Sequence, residues 1–214
     1  MSDPFEDLAA TIKPKTTDIW GLKFFPDLEP DTPNTQDHPN CGWISRQEVT
    51  DCNIEVVRNI VKDLGDRLKT VVEIGVNRNG ERSMSRILMD ERPKGSYYLG
   101  IDIEDKSYLD DPESNTWTIK CNSMEQDLIR NFMSGIGIKE IDLLFIDGDH
   151  SVNACVNDWR YSDMLSAHGI VILHDTNSHP GCVALFQAVD ENLFDKERSC
   201  LEDDFGIAVF RRKS

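Results

Sequence analysis

The chain has 214 residues, about the size of one α/β domain with a small extension. Hydrophobic residues make up 39% and charged residues 29%, a globular balance. Its 39 acidic and 23 basic side chains leave a formal charge of −16, a field that repels phosphate backbones and argues against a nucleic-acid partner. No stretch is apolar enough for a membrane-spanning helix, which needs about 20 such residues. The acidic segment Met1–Asp7 lacks the apolar region of a secretory signal. The six cysteines, Cys41, Cys52, Cys121, Cys155, Cys182 and Cys200, contain no C-x-x-C pair. They read as reduced thiols, several of them core filler, in a cytoplasmic protein without membrane contact.

Residues 1–43 form the first part. Pro4, Pro14, Pro26, Pro30, Pro33 and Pro39 crowd into it, and proline removes a backbone donor and restricts the residue before it. Trp20, Leu22, Phe24 and Phe25 are too apolar for a solvated tail. Two readings stay open: an arm packed on the main domain, or a substrate lid or homodimer contact. Residues 44–214 form the main domain. Ser45-Arg46-Gln47-Glu48 has capping-box spacing, and Val49, Cys52, Val56, Ile60, Leu64 and Leu68 recur at helical steps, which predicts one amphipathic helix.

From Thr70 onward strand and helix signals alternate. Strands are predicted over 70–75, 97–103, 116–121, 141–147 and 169–175, with a last strand over 204–211 and a weaker one over 197–201. Helices are predicted over 83–89, from a second capping box at Ser123–Gln126, over 151–165 and over 183–193. The run Leu143-Leu144-Phe145-Ile146 suits a central strand covered on both faces. The pattern implies a Rossmann-like, doubly wound, mostly parallel seven-stranded α/β sheet preceded by an arm and a helix.

Ligands of open α/β sheets bind beyond the carboxyl ends of the strands, and the unusual polar residues gather at those ends. The first strand ends in Glu73 and Gly75, with Asn77 and Gly80 following. The second ends in Asp102 and Ile103, the third in Asn122 and Ser123, the fourth in Asp147-Gly148-Asp149-His150, and the fifth in His174-Asp175. Gly75 and Gly80 allow a tight turn, but the dinucleotide fingerprint G-x-G-x-x-G is absent. Asp102 stands where an acid can accept both hydroxyls of a ribose. Glu73 beside the glycine turn would repel a pyrophosphate and suits a cationic ligand such as S-adenosylmethionine. Its alternative is a carboxylate hydrogen-bonded to a neighbouring loop. Asp149 could instead cap the following helix. His38, His168 and His179 read as structural or exposed, although His179 could reach the mouth.

Val72–Val76, Gly100–Asp102, Ile141–Ser151 and Gly169–Thr176 together resemble the successive motifs of class I S-adenosylmethionine-dependent methyltransferases. Phe145–Ser151 followed by Gly169–Thr176 is similar to the subgroup of macrolide-sugar O-methyltransferases and cephalosporin-hydroxylase-like proteins. The resemblance spans residues 48–211. It implies that Glu73, Gly75, Asn77, Gly80, Asp102, Ile103, Asn122 and Ser123 bind S-adenosylmethionine. It further implies that Asp147, His174 and Asp175 hold Mg²⁺ or another divalent metal, and that His150 acts as general base while Asp147 takes part in catalysis. Relatives often carry Glu where this chain has His174, and histidine is a poorer magnesium ligand than a carboxylate. The implied activity is methyl transfer to a hydroxyl of a small molecule, a sugar or glycoside among the acceptors. The rival readings are a Rossmann-fold oxidoreductase or sugar-nucleotide enzyme, a catalytically silent methyltransferase-like binding protein, and a methyltransferase-like hydroxylase.

Overall fold

The computed structural model describes residues 20–23, 50–76, 83–177, 179–202 and 205–213. The capping box at Ser45–Glu48, Asn77, Gly80 and all of the arm except 20–23 lie outside the described residues. Seven strands form one sheet: β1 (Thr70–Ile74), β2 (Tyr97–Asp102), β3 (Thr116–Lys120), β4 (Ile141–Ile146), β5 (Leu165–His174), β6 (Phe194–Ser199) and β7 (Ile207–Arg212). Their spatial order is β3-β2-β1-β4-β5-β7-β6, parallel except for β7, which runs antiparallel to both neighbours. The direction of winding reverses between β1 and β4, and that is where an open α/β sheet leaves a crevice at its carboxyl edge.

Alternate residues of each strand feed two hydrophobic layers. Val72, Ile74, Leu144, Ile146, Val171 and Leu173 pack with α3 (Gln126–Gly135), α4 (Val152–Trp159) and α5 (Pro180–Ala188). Val71, Tyr98, Leu143, Phe145 and Ile172 pack against α1 (Asp51–Leu64) and α2 (Met84–Glu91). Both faces of the central strands are covered, so β4 is buried along its whole length, as its uninterrupted apolar run requires.

Several local expectations shift. Among the described residues α1 opens at Thr50, whose side chain accepts from Asn53 N–H, and it ends at Leu64 rather than running to Leu68. Leu68 is still fully buried, but in the connection to β1. Val56 is only partly buried and Cys52 is exposed, so the buried stripe is instead Asn53, Ile54, Val57, Ile60, Val61 and Leu64. The second capping box does not form: α3 starts at Gln126 without a side-chain cap, and the Ser123 carbonyl accepts from Tyr161 Oη at 2.8 Å. α4 stops at Trp159, and β5 begins at Leu165, four residues earlier than the apolar run suggested, with its register to β4 broken between Ile141 and Leu143.

The cysteine reading needs a correction. Cys52, at the start of α1, and Cys200, just after β6, form a disulfide with their Cα atoms 5.8 Å apart across 148 positions of sequence. Cys121, Cys155 and Cys182 are buried free thiols. Pairing over such a distance depends on α1 lying beside the β6–β7 turn, which no local spacing encodes. Closing so long a loop constrains the unfolded chain strongly, and a disulfide of this kind is worth about 2–4 kcal/mol. Melting the protein with and without reductant should therefore show a lower midpoint in the reduced sample, and Cys52→Ala should melt there in both; coincident wild-type curves would show that the bond contributes nothing.

Of the arm, Trp20–Lys23 packs on the domain. Leu22 is buried and bridges to Val189, and the Trp20 carbonyl accepts from Trp159 Nε1 at 2.9 Å. Trp159 itself is wedged edge-on between Phe194 and Phe210, at 5.2 and 4.9 Å between ring centroids. For these four residues the packed-arm reading holds. Among the described residues, no helix is long and apolar enough to cross a membrane.

Candidate functional site

The site lies where β1, β2, β4 and β5 end. Backbone pairing continues just past the strands: Gly75 N–H donates to Ile101 O at 2.9 Å, and Asp147 N–H donates to Ile74 O at 2.8 Å. Gly75 has φ +83°, and a Cβ on it would fall 2.0 Å from the Asp147 carbonyl oxygen. Only glycine allows the two strand ends to come this close.

Asp147, His150, His174 and Asp175 converge as the sequence suggested. His174 Nδ1 stands 3.2 Å from Asp147 Oδ1 and 3.3 Å from Asp175 Oδ1. His150 Nε2 stands 2.8 Å from Asp175 Oδ2 and 3.8 Å from Asp147 Oδ1. Asp175 has φ +60°, a left-handed conformation that a non-glycine residue keeps only where its surroundings impose it. Asp149 does not cap α4. Ser151 does, accepting from Ala154 N–H, while Asp149 accepts from Ser151 N–H.

Charge follows from this crowding. Burial opposes protonation of His150, but the Asp147 and Asp175 carboxylates outweigh it and lift the imidazole to about 10. His174, fully buried, is raised in the same way against the same opposition. Burial alone would push Asp175 up, yet the two histidines hold it far below the usual carboxylate range. The imidazoles thus play the part of cations between two acids. A divalent ion drawing on Asp147, His174 and Asp175, whose ligand atoms lie within 4.8 Å of one another, would fit the same charge. Asp175 Oδ1 is buried and makes no hydrogen bond within the fold, which agrees with such a role.

Two further partners join the site, Asn53, which the sequence reading missed, and His179, which it only allowed to reach the mouth. Asn53, fully buried on the first turn of α1, contacts His174 Nε2 through its amide at 2.7 Å and so fixes the ring. His179, the residue before α5, is buried and its ring lies 4.1 Å from that of His150. Burial, then the neighbouring His150, lower His179 to about 4 and keep it neutral. A helical period that put a polar Asn on the buried face of α1 was the available signal for Asn53; for His179 there was only its place after the fifth strand.

The residues read as cofactor-binding are distributed differently. Asp102 Oδ2 accepts from Val76 N–H at 3.0 Å, and Oδ1 accepts from Glu104 N–H at 2.7 Å. A nearly buried Lys106, another residue the sequence did not single out, lies 4.0 Å away. Each oxygen retains a lone pair, so the acid can still accept from a diol. Ile103 follows with two-thirds of its surface exposed (67%), an apolar face beside that acid. Asn122 Oδ1 accepts from Met124 N–H and shapes the loop that also holds Ser123. Glu73 has no exposure: it accepts from Ser85 Oγ at 2.9 Å and from Tyr98 Oη. The structure thus gives it partners in α2 and β2, neither a neighbouring loop nor an open face. His168, in β5, is likewise structural, 3.0 Å from the buried Asp142 at the start of β4.

Burial raises the Glu73 carboxyl to about 8, against partial relief from Tyr98 and Ser85. A carboxyl raised from 4.5 in the unfolded chain binds its proton more tightly when folded, so its stabilisation is complete below pH 4.5 and is lost as pH rises towards 8. Glu73→Gln, whose amide can accept one of these bonds and donate the other, should flatten the fall of melting temperature over that range. An unchanged slope would mean that the acid ionises freely in the fold.

No family model matches the sequence, and no curated protein does. Solved structures do. MycE methyltransferase from the mycinamycin biosynthetic pathway, solved with Mg, S-adenosylhomocysteine and mycinamycin VI, superposes with a TM-score of 0.56 at 15% identity, covering 74% of this chain and 48% of its own. This chain therefore spans about half the length of MycE. A Clostridium thermocellum protein named as an rRNA methylase superposes with a TM-score of 0.57 at 14% identity, over 77% of this chain and 100% of its own. A Streptococcus mutans protein named as a methyltransferase, solved with S-adenosylhomocysteine, gives 0.50 at 11% identity over 79% and 99%.

The chain has the class I methyltransferase fold.

In a class I methyltransferase fold with this strand order, the crevice at the carboxyl edge opens between β1 and β4. Gly75 and Asp102 stand on its β1–β2 side, and Asp147 and Asp175 on its β4–β5 side. The two halves of the site meet at the contact between Gly75 and the Asp147 backbone.

Proposed function

We propose that this protein is an S-adenosylmethionine-dependent methyltransferase that modifies a hydroxyl of a small molecule, with sugars and glycosides among the acceptors. The observation that carries the reading is the convergence of Asp147, His150, His174 and Asp175 directly across the Gly75 turn from Asp102. S-adenosylmethionine, when bound, supplies an electrophilic methyl group, and the protein's task is then alignment and proton removal.

In this reading Asp102 accepts the ribose hydroxyls, with Ile103 offering apolar surface beside it, and Asn122 and Ser123 shape the adjoining loop. Asn77 and Gly80, outside the described residues, join the cofactor set through the sequence resemblance alone. Asp147, His174 and Asp175 would hold a divalent cation, Mg²⁺ or another, which would supply positive charge beside an acceptor diol. His150 takes the hydroxyl proton. The Asp147 and Asp175 carboxylates that raise His150 would then be engaged by the cation, which would lower the imidazole and free its nitrogen to act as a base. Three buried free thiols agree with a cytoplasmic setting, although the Cys52–Cys200 bond asks for oxidising conditions when it forms.

Calorimetric titration with S-adenosylhomocysteine, with and without Mg²⁺, tests the proposal. Wild type should bind at micromolar concentration, roughly −8 kcal/mol. Asp102→Asn keeps the shape but weakens a charge-assisted contact, and should bind about 10- to 100-fold more weakly. Absence of binding by wild type under either condition would overturn the reading.

A further inference from the structure

We propose that His150, Asp175 and His179 form a second metal site, which shares Asp175 with the Asp147–His174–Asp175 group and takes a late first-row transition ion of the zinc class. The existence of the site goes beyond the methyltransferase reading; only its consequence for turnover rests on that reading.

The donor set makes the case. The ligand atoms of these three residues lie within 4.8 Å of one another, so small side-chain rotations bring them onto one ion at the usual 2.0–2.2 Å of zinc to nitrogen and oxygen. Two imidazoles and one carboxylate suit zinc, iron, cobalt or nickel, whereas magnesium prefers an oxygen shell. His150 Nε2 is buried and comes within 2.8 Å of Asp175 Oδ2, yet makes no aligned hydrogen bond.

The fold also builds the spacing. α5 begins one residue after His179, and its Gly181 is pressed so closely on the turn before α4 that a Cβ there would fall 2.1 Å from the His150 carbonyl oxygen. That contact sets the distance between the two histidines. The left-handed backbone of Asp175 and the bond from His179 N–H to its carbonyl at 3.3 Å fix the third ligand. An ion on His150 would compete with the use of its imidazole for proton removal, so zinc binding would oppose base catalysis.

Cobalt is the probe. Metal-free protein is titrated with Co²⁺ and followed by its visible absorption, with Zn²⁺ added to displace it. In His179→Gln the apparent Co²⁺ affinity should fall by about 100-fold or more, at least the upper end of what loss of an outer-sphere partner costs. In His174→Gln it should stay within a few-fold. X-ray absorption of the zinc-loaded wild type needs no variant, and should show two imidazoles on the ion. A single imidazole, loss of Co²⁺ binding that follows His174 instead of His179, equal loss in both variants, or no binding by wild type would each overturn the site. Titration of the same samples with S-adenosylhomocysteine reports separately on folding and on the methyltransferase reading, since failure of wild type to bind it leaves the cobalt result standing.

Discussion

Gly75→Ala should cost the protein about 3–5 kcal/mol and lower its melting temperature by roughly 10 °C or more. Two costs add. An alanine at φ +83° is held in a backbone region that side chains avoid, and its Cβ would lie 2.0 Å from Asp147 O and 2.5 Å from the carbonyl carbon. Those are backbone atoms anchored by the bond from Asp147 N–H to Ile74 O, so no flexible side chain can give way. Relief requires β1 and β4 to part at their carboxyl ends, and that moves Asp147 away from His174 and Asp175. Divalent-ion affinity should therefore fall together with stability. Thermal melts and ion titration of the variant check this, and a variant that melts within about 2 °C of wild type would show that the β1–β4 contact is looser than described.

His150→Gln should lower methyl transfer by about 10²- to 10⁴-fold, the usual worth of a positioned general base. Its affinity for S-adenosylhomocysteine should change little, because His150 stands on the β4–β5 side of the crevice and Asp102 on the β1–β2 side. Glutamine retains a polar group of similar reach but cannot take a proton at neutral pH. The measurement is release of S-adenosylhomocysteine across a panel of diols and glycosides, followed by comparison of kcat and KM on the acceptor that responds best. A loss confined to KM would make His150 a binding residue. Turnover within about twofold of wild type would assign the proton to another group.

The fold was legible because its signals are local. The apolar run of β4, the alternation of strand and helix and the helical pattern of 83–89 each depend on neighbours within a few residues, and all appear in the structure. The gathering of polar residues at the strand ends was legible for a related reason. In a parallel sheet every strand presents its carboxyl end on the same edge, so Asp102, Asp147 and Asp175 had to share a mouth once the strands were placed.

Where the reading failed, the deciding contacts cross the chain. The start of β5 at Leu165 and the lost cap at Ser123 reflect pairing to β4 and a bond from Tyr161, which local propensity does not register. Cys52 reads as part of a helical stripe until α1 lies against the β6–β7 turn. Glu73 alternates into the β1 layer facing α1 and α2, where Ser85 and Tyr98 take up its oxygens. Sequence by itself determined the sheet, its order of elements and the edge that carries the chemistry, because periodicity and strand polarity are short-range properties. Only the tertiary structure decided that Asn53 holds His174, that His179 stacks on His150, and that two cysteines 148 residues apart are joined. Those are contacts between surfaces, and they exist only once helices have been laid on the sheet.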